Sequence, residues 1–238
     1  MTFIVAIPCN GGVVLASDGQ SKRIVDGRTI KEKAKKIFEL GNNVLWGCAG
    51  DENGRSRFVN FVDKHIDQNN PLTDQLFVEH LENFANEIEG EQRRKEQGIE
   101  GLRCPEYLVV GLETIWCMYG AECQHVHYST KKDYEVIKGD LFAIGAGQAV
   151  PRAFFDGLKK LDYEYTLAQG SLVAYRLVGE AIKSSDDVGK PIYVWTVVNN
   201  KPKRTLGVDL EKLETLCYAW VGGEQVIANA LISYLGDS

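Results

Sequence analysis

Apolar and polar positions alternate, with short turn signals between them, through the first fifty residues. Residues 2–8 and 13–17 are rich in apolar and β-branched side chains, and Asn10-Gly11-Gly12 lies between them. This pattern predicts a β-hairpin. After a polar connection, two more strands are predicted over residues 36–40 and 44–48, with a turn at residues 41–43. The beginning of the chain is therefore predicted to be β-rich.

The apolar positions then change to helical spacing. Positions three and four apart recur in two groups, Phe58, Phe61, Val62 and Ile66, and then Leu76, Phe77, Leu81, Phe84 and Ile88. This periodicity predicts two helices. Residues 69–71 separate them, and Thr73 or Asp74 is a suitable N-cap for the second helix.

The rest of the chain repeats this grouping of strands and helices. Strands are predicted over residues 107–112, 115–119, 124–128 and 141–144, helices over 149–161 and 167–183, an extended stretch over 192–198, a basic turn over 199–204 and a last apolar segment over 226–235. Segregated strands and helix pairs indicate an α+β fold. We predict a four-layer αββα sandwich, in which two antiparallel sheets lie between helix layers.

Domain organisation, charge and cysteine usage narrow the class of protein. There is no internal repeat or flexible linker, so we expect a single domain over residues 1–238, with a C-terminal extension from about residue 199. The net charge of −6 and the absence of a basic stripe argue against nucleic acid as a partner. Without a signal-peptide pattern or a run of roughly eighteen apolar residues, the chain is expected in the cytosol and not in a membrane. The six scattered cysteines predict no disulfide framework there.

One cluster has the residue types of a metal site. Cys123, His125 and His127 alternate along a predicted strand, which would place all three on one face. No fourth ligand lies near them in the sequence, so an ordinary strand face is the preferred interpretation and no metal is predicted.

The second residue carries chemistry if the initiator methionine is removed. Thr2 then has both a free hydroxyl and a free α-amine. An α-amine has a pKa of about 7.7–8.0, which suits proton transfer near neutral pH. An N-terminal threonine can therefore act as nucleophile and as base in one residue.

The surrounding residues form a specific pattern with Thr2. Asp18-Gly19-Gln20 follows a strand, Lys36-Ile-Phe-Glu-Leu40 follows a polar loop, and Ala49-Gly50 follows the next strand. This resembles the opening of proteasome β-subunits and, in Asp18-Gly19-Gln20, the bacterial peptidase HslV. The resemblance is close over the first fifty residues, looser through Gly145-Ala146-Gly147 and weak beyond.

The resemblance implies an N-terminal-nucleophile (Ntn) hydrolase with the αββα fold. It implies a threonine-type endopeptidase that cleaves peptides or unfolded proteins through an acyl-enzyme. It also implies assembly into a self-compartmentalising homo-oligomeric ring, an ATP-dependent unfoldase as a candidate partner, and no cofactor. The sequence agrees on the last point, since it has neither a Walker A loop nor a GxGxxG motif after a strand.

The resemblance also assigns roles to individual residues. Thr2 matches the nucleophile, Asp18 the acidic partner of the active-site lysine, and Lys36 that lysine. The backbone N–H of Gly50 matches the oxyanion donor. Lys36 stands two residues further from Thr2 than is usual, which suggests a longer loop between residues 20 and 29, and Lys35 and Lys33 are alternative assignments.

This chain departs from the family pattern at three places. Ala146 stands where the family usually has serine, which would remove a hydrogen bond near the threonine amine. Asp186, with Asp187 as the alternative, is only an approximate match for a further catalytic aspartate. Ser21 and Lys22 stand where a threonine is common.

Substrate-binding residues are also implied by position. They are Ser21, Ala34, Phe38, Cys48 and Glu52, which would surround the pocket for the side chain before the cleaved bond. The carboxylate of Glu52 would favour substrates with a basic side chain before the cleaved bond.

Two other functions use the same fold. A non-catalytic ring or assembly subunit is favoured by Ala146 but not by the presence of Thr2, Asp18, Lys36 and Gly50 together. An Ntn amidase or transpeptidase with a narrow substrate would differ in the acceptor of the acyl group.

Overall fold

A computed structural model describes most of the chain. The described residues are 2–40, 43–50, 53–65, 79–88, 106–111, 114–119, 122–127, 141–146 and 165–236, together with 149, 151, 153, 154 and 156. The predicted turn at residues 41–43 is described only at residue 43, and the proposed caps Thr73 and Asp74 lie outside these ranges.

The described residues form strands and helices in the following chain order. The strands are β1 (Phe3–Cys9), β2 (Gly12–Asp18), β3 (Gln20–Val25), β4 (Arg28–Lys33), β5 (Ile37–Leu40), β6 (Val44–Ala49), β7 (Glu106–Gly111), β8 (Thr114–Tyr119), β9 (Glu122–His127), β10 (Phe142–Gly145), β11 (Ile192–Val198) and β12 (Lys201–Arg204). The helices are α1 (Gly54–His65), α2 (79–88), α3 (Leu167–Ser184) and α4 (Val208–Gly236).

The strands build two five-stranded antiparallel sheets. The first sheet has the order β10-β1-β2-β11-β12, and the second has the order β5-β6-β7-β8-β9. A separate hairpin of β3 and β4 connects them along the chain. The strands at the start of the chain are thus divided between the two sheets, with β1 and β2 in one and β5 and β6 in the other.

Side chains alternate between two different cores along the central strands. On β1, Phe3, Val5 and Ile7 face the core shared with α3 and α4, whereas Ile4 and Ala6 face the core between the two sheets. The second sheet does the same, with its other face packed on α1 and α2 through Trp46, Phe58, Phe84 and Tyr107. This arrangement confirms the predicted four-layer αββα sandwich.

Two segments differ from the sequence-based expectation. The connection over residues 20–29, expected to be a loop, belongs to the β3–β4 hairpin, because Asp26 and Gly27 both adopt positive φ and form the tight turn that hairpins favour. The basic turn expected over residues 199–204 is a turn only at Asn199 and Asn200, and strand β12 follows. Both turns have positive φ at two adjacent residues.

The C-terminal helix is longer than the apolar segment that the sequence predicts there. Helix α4 has 29 residues and contains the predicted segment over 226–235. Leu213 of α4 is buried against the core beneath α3. Of the helices that the structure describes, none has the combination of length and apolar character that a membrane span needs. The assignment of the whole chain to one domain stays a prediction.

The core between the two sheets is expected to contribute strongly to the stability of the fold. Leu108 on β7 is fully buried in this core, whereas Leu216 on α4 is 53% exposed. We expect Leu108→Ala to lower the free energy of unfolding by about 2–5 kcal/mol, because it leaves a cavity between two rigid layers. The matched Leu216→Ala variant is expected to change the free energy of unfolding by less than about 0.5 kcal/mol. Urea unfolding followed by fluorescence measures both, and equal effects would contradict this role of the core.

Candidate active site

The hydroxyl of Thr2 lies at the centre of a polar cluster at one end of the two sheets. Thr2 directly precedes β1 and is 7% exposed. The Nζ of Lys36, the residue before β5, donates a hydrogen bond to Thr2 Oγ1 at 3.1 Å. Thr2 belongs to the first sheet and Lys36 to the second, so the packing of the sheets brings these two residues together.

Asp18 is fully buried at the end of β2, next to Thr2. Its Oδ1 accepts a hydrogen bond from the backbone N–H of Phe3 at 2.9 Å. Its Oδ2 accepts from the N–H of Gln20 at 3.1 Å and of Gly189 at 3.4 Å. Three backbone donors from different parts of the chain therefore hold one carboxylate, which satisfies its buried lone pairs.

Burial opposes charge on both ionisable side chains behind Thr2. Loss of hydration raises the pKa of Asp18, against the opposing effects of its amide donors and of the Lys36 charge. Loss of hydration likewise lowers the pKa of Lys36, against the attraction of Asp18. The lysine next to the Thr2 hydroxyl therefore gives up its proton more readily than a solvated lysine.

The backbone of Thr2 is fixed by the end of β10. The N–H of Ala146 donates to the carbonyl of Thr2 at 2.8 Å. Gly145 has a φ of +99°, and a Cβ at this position would overlap the Thr2 carbonyl oxygen. Only glycine fits here, which explains the first glycine of the Gly145-Ala146-Gly147 motif. Gly147 lies outside the described residues.

Gly50 directly follows β6 and has a φ of +93°. The preceding residue, Ala49, is close to Gly145, since a Cβ on Gly145 would lie 3.3 Å from the Ala49 Cβ. Gly145 thus lies between Thr2 and the end of β6. This places Gly50 at the same end of the sheets as Thr2, and its role as an oxyanion donor stays a prediction.

Asp186 and Asp187 lie in the turn after α3. Asp186 is exposed, and its backbone carbonyl accepts from Nε2 of Gln20 at 3.5 Å. Asp187 forms an ion pair with Lys22 at 2.8 Å. The turn reaches the site through Gly189, which donates to Asp18. These contacts connect the turn to Asp18, and a catalytic role for the Asp186 carboxylate stays a prediction.

Four of the five predicted substrate-binding residues are described. Ser21 lies half-buried on β3, and Ala34, also half-buried, donates its N–H to the carbonyl of Gly19 at 2.8 Å. Phe38 on β5 packs on Trp46, with ring centroids 5.1 Å apart. Cys48 is half-buried on β6, and its charge when ionised raises the pKa of Lys36, so it lies near the cluster. Glu52 lies outside the described residues.

Phe38 also forms one wall of a cavity of about 410 Å³ between β5 and α1. The guanidinium of Arg55 lies over the Phe38 ring at 4.2 Å from its centroid, in cation–π geometry. The positive charge of Arg55 therefore lies against Phe38, a residue that is predicted to line the substrate pocket.

The described residues contain no group of three or more metal-ligating side chains. Cys123, His125 and His127 are on β9, where they pair with Met118, Trp116 and Thr114 of β8.

Sequence reasoning misses one polar residue of the site. Glu106, the first residue of β7, accepts a hydrogen bond from the backbone N–H of Gly145 at 2.6 Å. A single glutamate before an apolar strand has no local signal that indicates such a role.

Comparisons with known proteins agree with the fold and with part of the sequence pattern. The family model for proteasome subunits matches residues 2–100. A search of curated proteins found no match. Among solved structures, a mutant of Anbu from Hyphomicrobium sp. strain MC1 is similar, with a TM-score of 0.65, 16% identity, and coverage of 96% of this chain and 97% of that chain. The resemblance to proteasome subunits is thereby confirmed over residues 2–100, and the fold of nearly the whole chain is similar to that of Anbu.

Proposed function

We propose that this protein is a threonine-type peptidase that cleaves peptide bonds through an acyl-enzyme on Thr2, after removal of Met1. The observation that carries the proposal is the 3.1 Å hydrogen bond from Lys36 Nζ to Thr2 Oγ1. A lysine ammonium held beside a buried threonine hydroxyl is an arrangement that supports an N-terminal nucleophile, because its charge favours the neutral form of the adjacent α-amine. A scaffold would need neither the lysine nor the buried Asp18 that faces it.

The proposed reaction begins when Met1 removal frees the α-amine of Thr2. Thr2 Oγ1 attacks the carbonyl carbon of the substrate, and its proton passes to the α-amine. The positive charge of Lys36 keeps that amine neutral and able to accept the proton, because two adjacent cations repel each other. The proton then passes to the leaving amine as the peptide C–N bond breaks, which leaves an ester on Thr2. Water then gives a proton to the α-amine and attacks the ester carbon, the bond from that carbon to Oγ1 breaks, and the amine returns the proton to Oγ1 as the acyl group leaves as a carboxylic acid.

The developing oxyanion needs a donor that is already in place. The N–H of Gly50 is our candidate, since Gly50 follows β6 beside Gly145. A preorganised backbone donor lowers the barrier by about 3 kcal/mol. Asp18 supports the reaction indirectly, because its charge favours the ammonium form of Lys36.

The proposed assembly follows from the likeness to proteasome subunits alone. We propose a cytosolic homo-oligomeric ring that encloses the active sites and takes peptides or unfolded proteins. An ATP-dependent unfoldase is the partner that such an enclosed site requires for folded substrates.

A non-catalytic ring subunit is the second candidate function, and Ala146 is the observation that favours it. The side chain of Ala146 supplies no hydroxyl near Thr2, although its backbone N–H still holds the Thr2 carbonyl. An amidase or transpeptidase would use the same residues and differ only in the group that accepts the acyl chain.

Intact mass after incubation with a peptide epoxyketone tests the proposed function. This reagent forms a stable adduct with a threonine that has both a free hydroxyl and a free α-amine. We expect the wild-type protein to lack Met1 and to gain one adduct. The Thr2→Ala variant is expected to gain none, because it keeps the amine but has no nucleophile. A folded wild-type protein that retains Met1 and gains no adduct would favour the non-catalytic subunit.

The choice of lysine is tested by two neighbouring alanine variants. Lys36→Ala is expected to slow adduct formation by about 10²–10⁴-fold, because it removes the group that contacts Thr2 Oγ1. Lys35→Ala is the matched control, since Lys35 is exposed and pairs loosely with Glu39, at 4.0 Å. Its rate is expected to stay within about twofold of the wild type. A slow Lys35→Ala variant beside a fast Lys36→Ala variant would reverse the assignment.

We propose that cleavage preference depends on two opposite charges, that of Arg55 beside Phe38 and that of Glu52, which the resemblance to the family assigns to the pocket. The carboxylate of Glu52 would favour Lys or Arg before the cleaved bond, and Arg55 on the Phe38 ring opposes them. We expect Arg55→Ala to raise the turnover of fluorogenic Lys and Arg peptides, relative to Leu peptides, roughly fivefold, which corresponds to about 1 kcal/mol between charges near 4 Å in water. An unchanged ratio would exclude Arg55 from the pocket.

A further inference from the structure

Glu106 joins the two sheets directly behind Thr2. It is the first residue of β7 in the second sheet, and its Cα pairs with that of Ala49, the residue before Gly50. Its carboxylate accepts from the N–H of Gly145, the last residue of β10 in the first sheet, at 2.6 Å. Such a short bond to an ionised acceptor is about twice as strong as one between neutral groups.

The direction of the Gly145 N–H explains why its hydrogen-bond acceptor is a side chain. Strand β10 is at the edge of the first sheet and pairs with β1 on one side. Ala146 donates to Thr2 on that side, and the N–H groups of successive residues of a strand point to opposite sides. The Gly145 N–H therefore points away from β1, where the described part of the sheet has no further strand, and Glu106 caps it.

The two sheets each carry half of the proposed machinery. Thr2 and Asp18 belong to the first sheet, whereas Lys36 and Gly50 belong to the ends of strands in the second. The Lys36–Thr2 contact therefore depends on how the sheets sit against each other at this end. The apolar core between them is non-directional, so it does not by itself fix positions to a fraction of an ångström. A charged hydrogen bond between the sheets does so.

We propose that Glu106 is a positioning residue, whose carboxylate ties β10 to the second sheet and thereby holds Thr2 in register with Lys36 and Gly50. It acts through Gly145 and Ala146 and does not touch the substrate. The proposal deepens the proposed function, and it rests on that function for one of its two measurable consequences, the reactivity of Thr2. The other consequence, the environment of Lys36, is independent of catalysis.

Three variants of Glu106 separate positioning from folding. Glu106→Ala removes the acceptor and leaves the Gly145 N–H unpaired. Glu106→Gln keeps a neutral acceptor of the same length. Glu106→Asp keeps the charge but is shorter by one methylene, so it serves if the alanine variant does not fold. Glu79→Ala, an exposed glutamate at the described start of α2, is the matched control.

The first measurement is the rate of epoxyketone adduct formation on folded protein. We expect Glu106→Ala and Glu106→Asp to lose about 10–100-fold, because a misplacement of about 1 Å costs up to 10²-fold. Glu106→Gln is expected to recover most of the loss, and Glu79→Ala to match the wild type. In peptide assays the loss is expected in kcat and not in KM, since substrate contacts are unchanged.

The second measurement is the titration of Lys36, by trace acetylation across pH and peptide mass spectrometry. In Glu106→Ala we expect the Lys36 pKa to move up toward the ordinary value of 10.5, because a loosened contact readmits water. Wild-type reactivity of Thr2 together with wild-type titration of Lys36 in this variant would overturn the proposal. If the wild-type protein forms no adduct, the proposed function is refuted. If Glu106→Ala raises the Lys36 pKa even in that case, the positioning role of Glu106 is still supported.

Discussion

A buried carboxylate is the constraint around which this end of the molecule is organised. Asp18 is fully buried, and an ion without water is tolerated only where other groups replace its hydration. Here the replacements come from the start of β1, the start of β3 and the turn after α3, together with the charge of Lys36. The path of the chain at four separate places is thus set by one side chain. Thr2 occupies its position because its neighbour Phe3 is one of those donors.

Much of the fold follows from local patterns in the sequence. Strands β1, β2, β6 and β11 agree with their predicted bounds within one residue at each end, because apolar β-branched runs between turn residues have no good helical alternative. The β3–β4 hairpin escapes prediction, since β4 is exposed along its whole length and has no apolar face to reveal it. Its only signal is Asp26-Gly27, a pair that readily adopts positive φ. The length of α4 escapes prediction as well, because Gly222 and Gly223 interrupt its helical pattern.

The site is predictable only where a resemblance supplies the residues. Thr2, Asp18 and Lys36 are assigned from the family pattern, and the structure brings their side chains to one place. No periodicity or spacing pairs Lys36 with Thr2, because their contact crosses from one sheet to the other. Glu106 illustrates the same limit: its partner is 39 residues away, on a strand of the opposite layer. Contacts between layers are set by packing, which a single sequence does not encode locally.

The β3–β4 hairpin has a consequence for how this chain can change in length. All residues of β4 are exposed, and the hairpin spans the stretch between Asp18 and Lys36 in which the two additional residues are expected. Side chains on a strand alternate between the two faces of the hairpin. Adding one residue to each strand therefore lengthens the hairpin and leaves every existing side chain on the same face. Insertions at Asp26-Gly27 therefore obey a parity rule. An even insertion lengthens the hairpin by whole pairs and leaves Lys36 beside Thr2, whereas an odd one leaves an unpaired residue that a bulge or a longer turn has to accommodate.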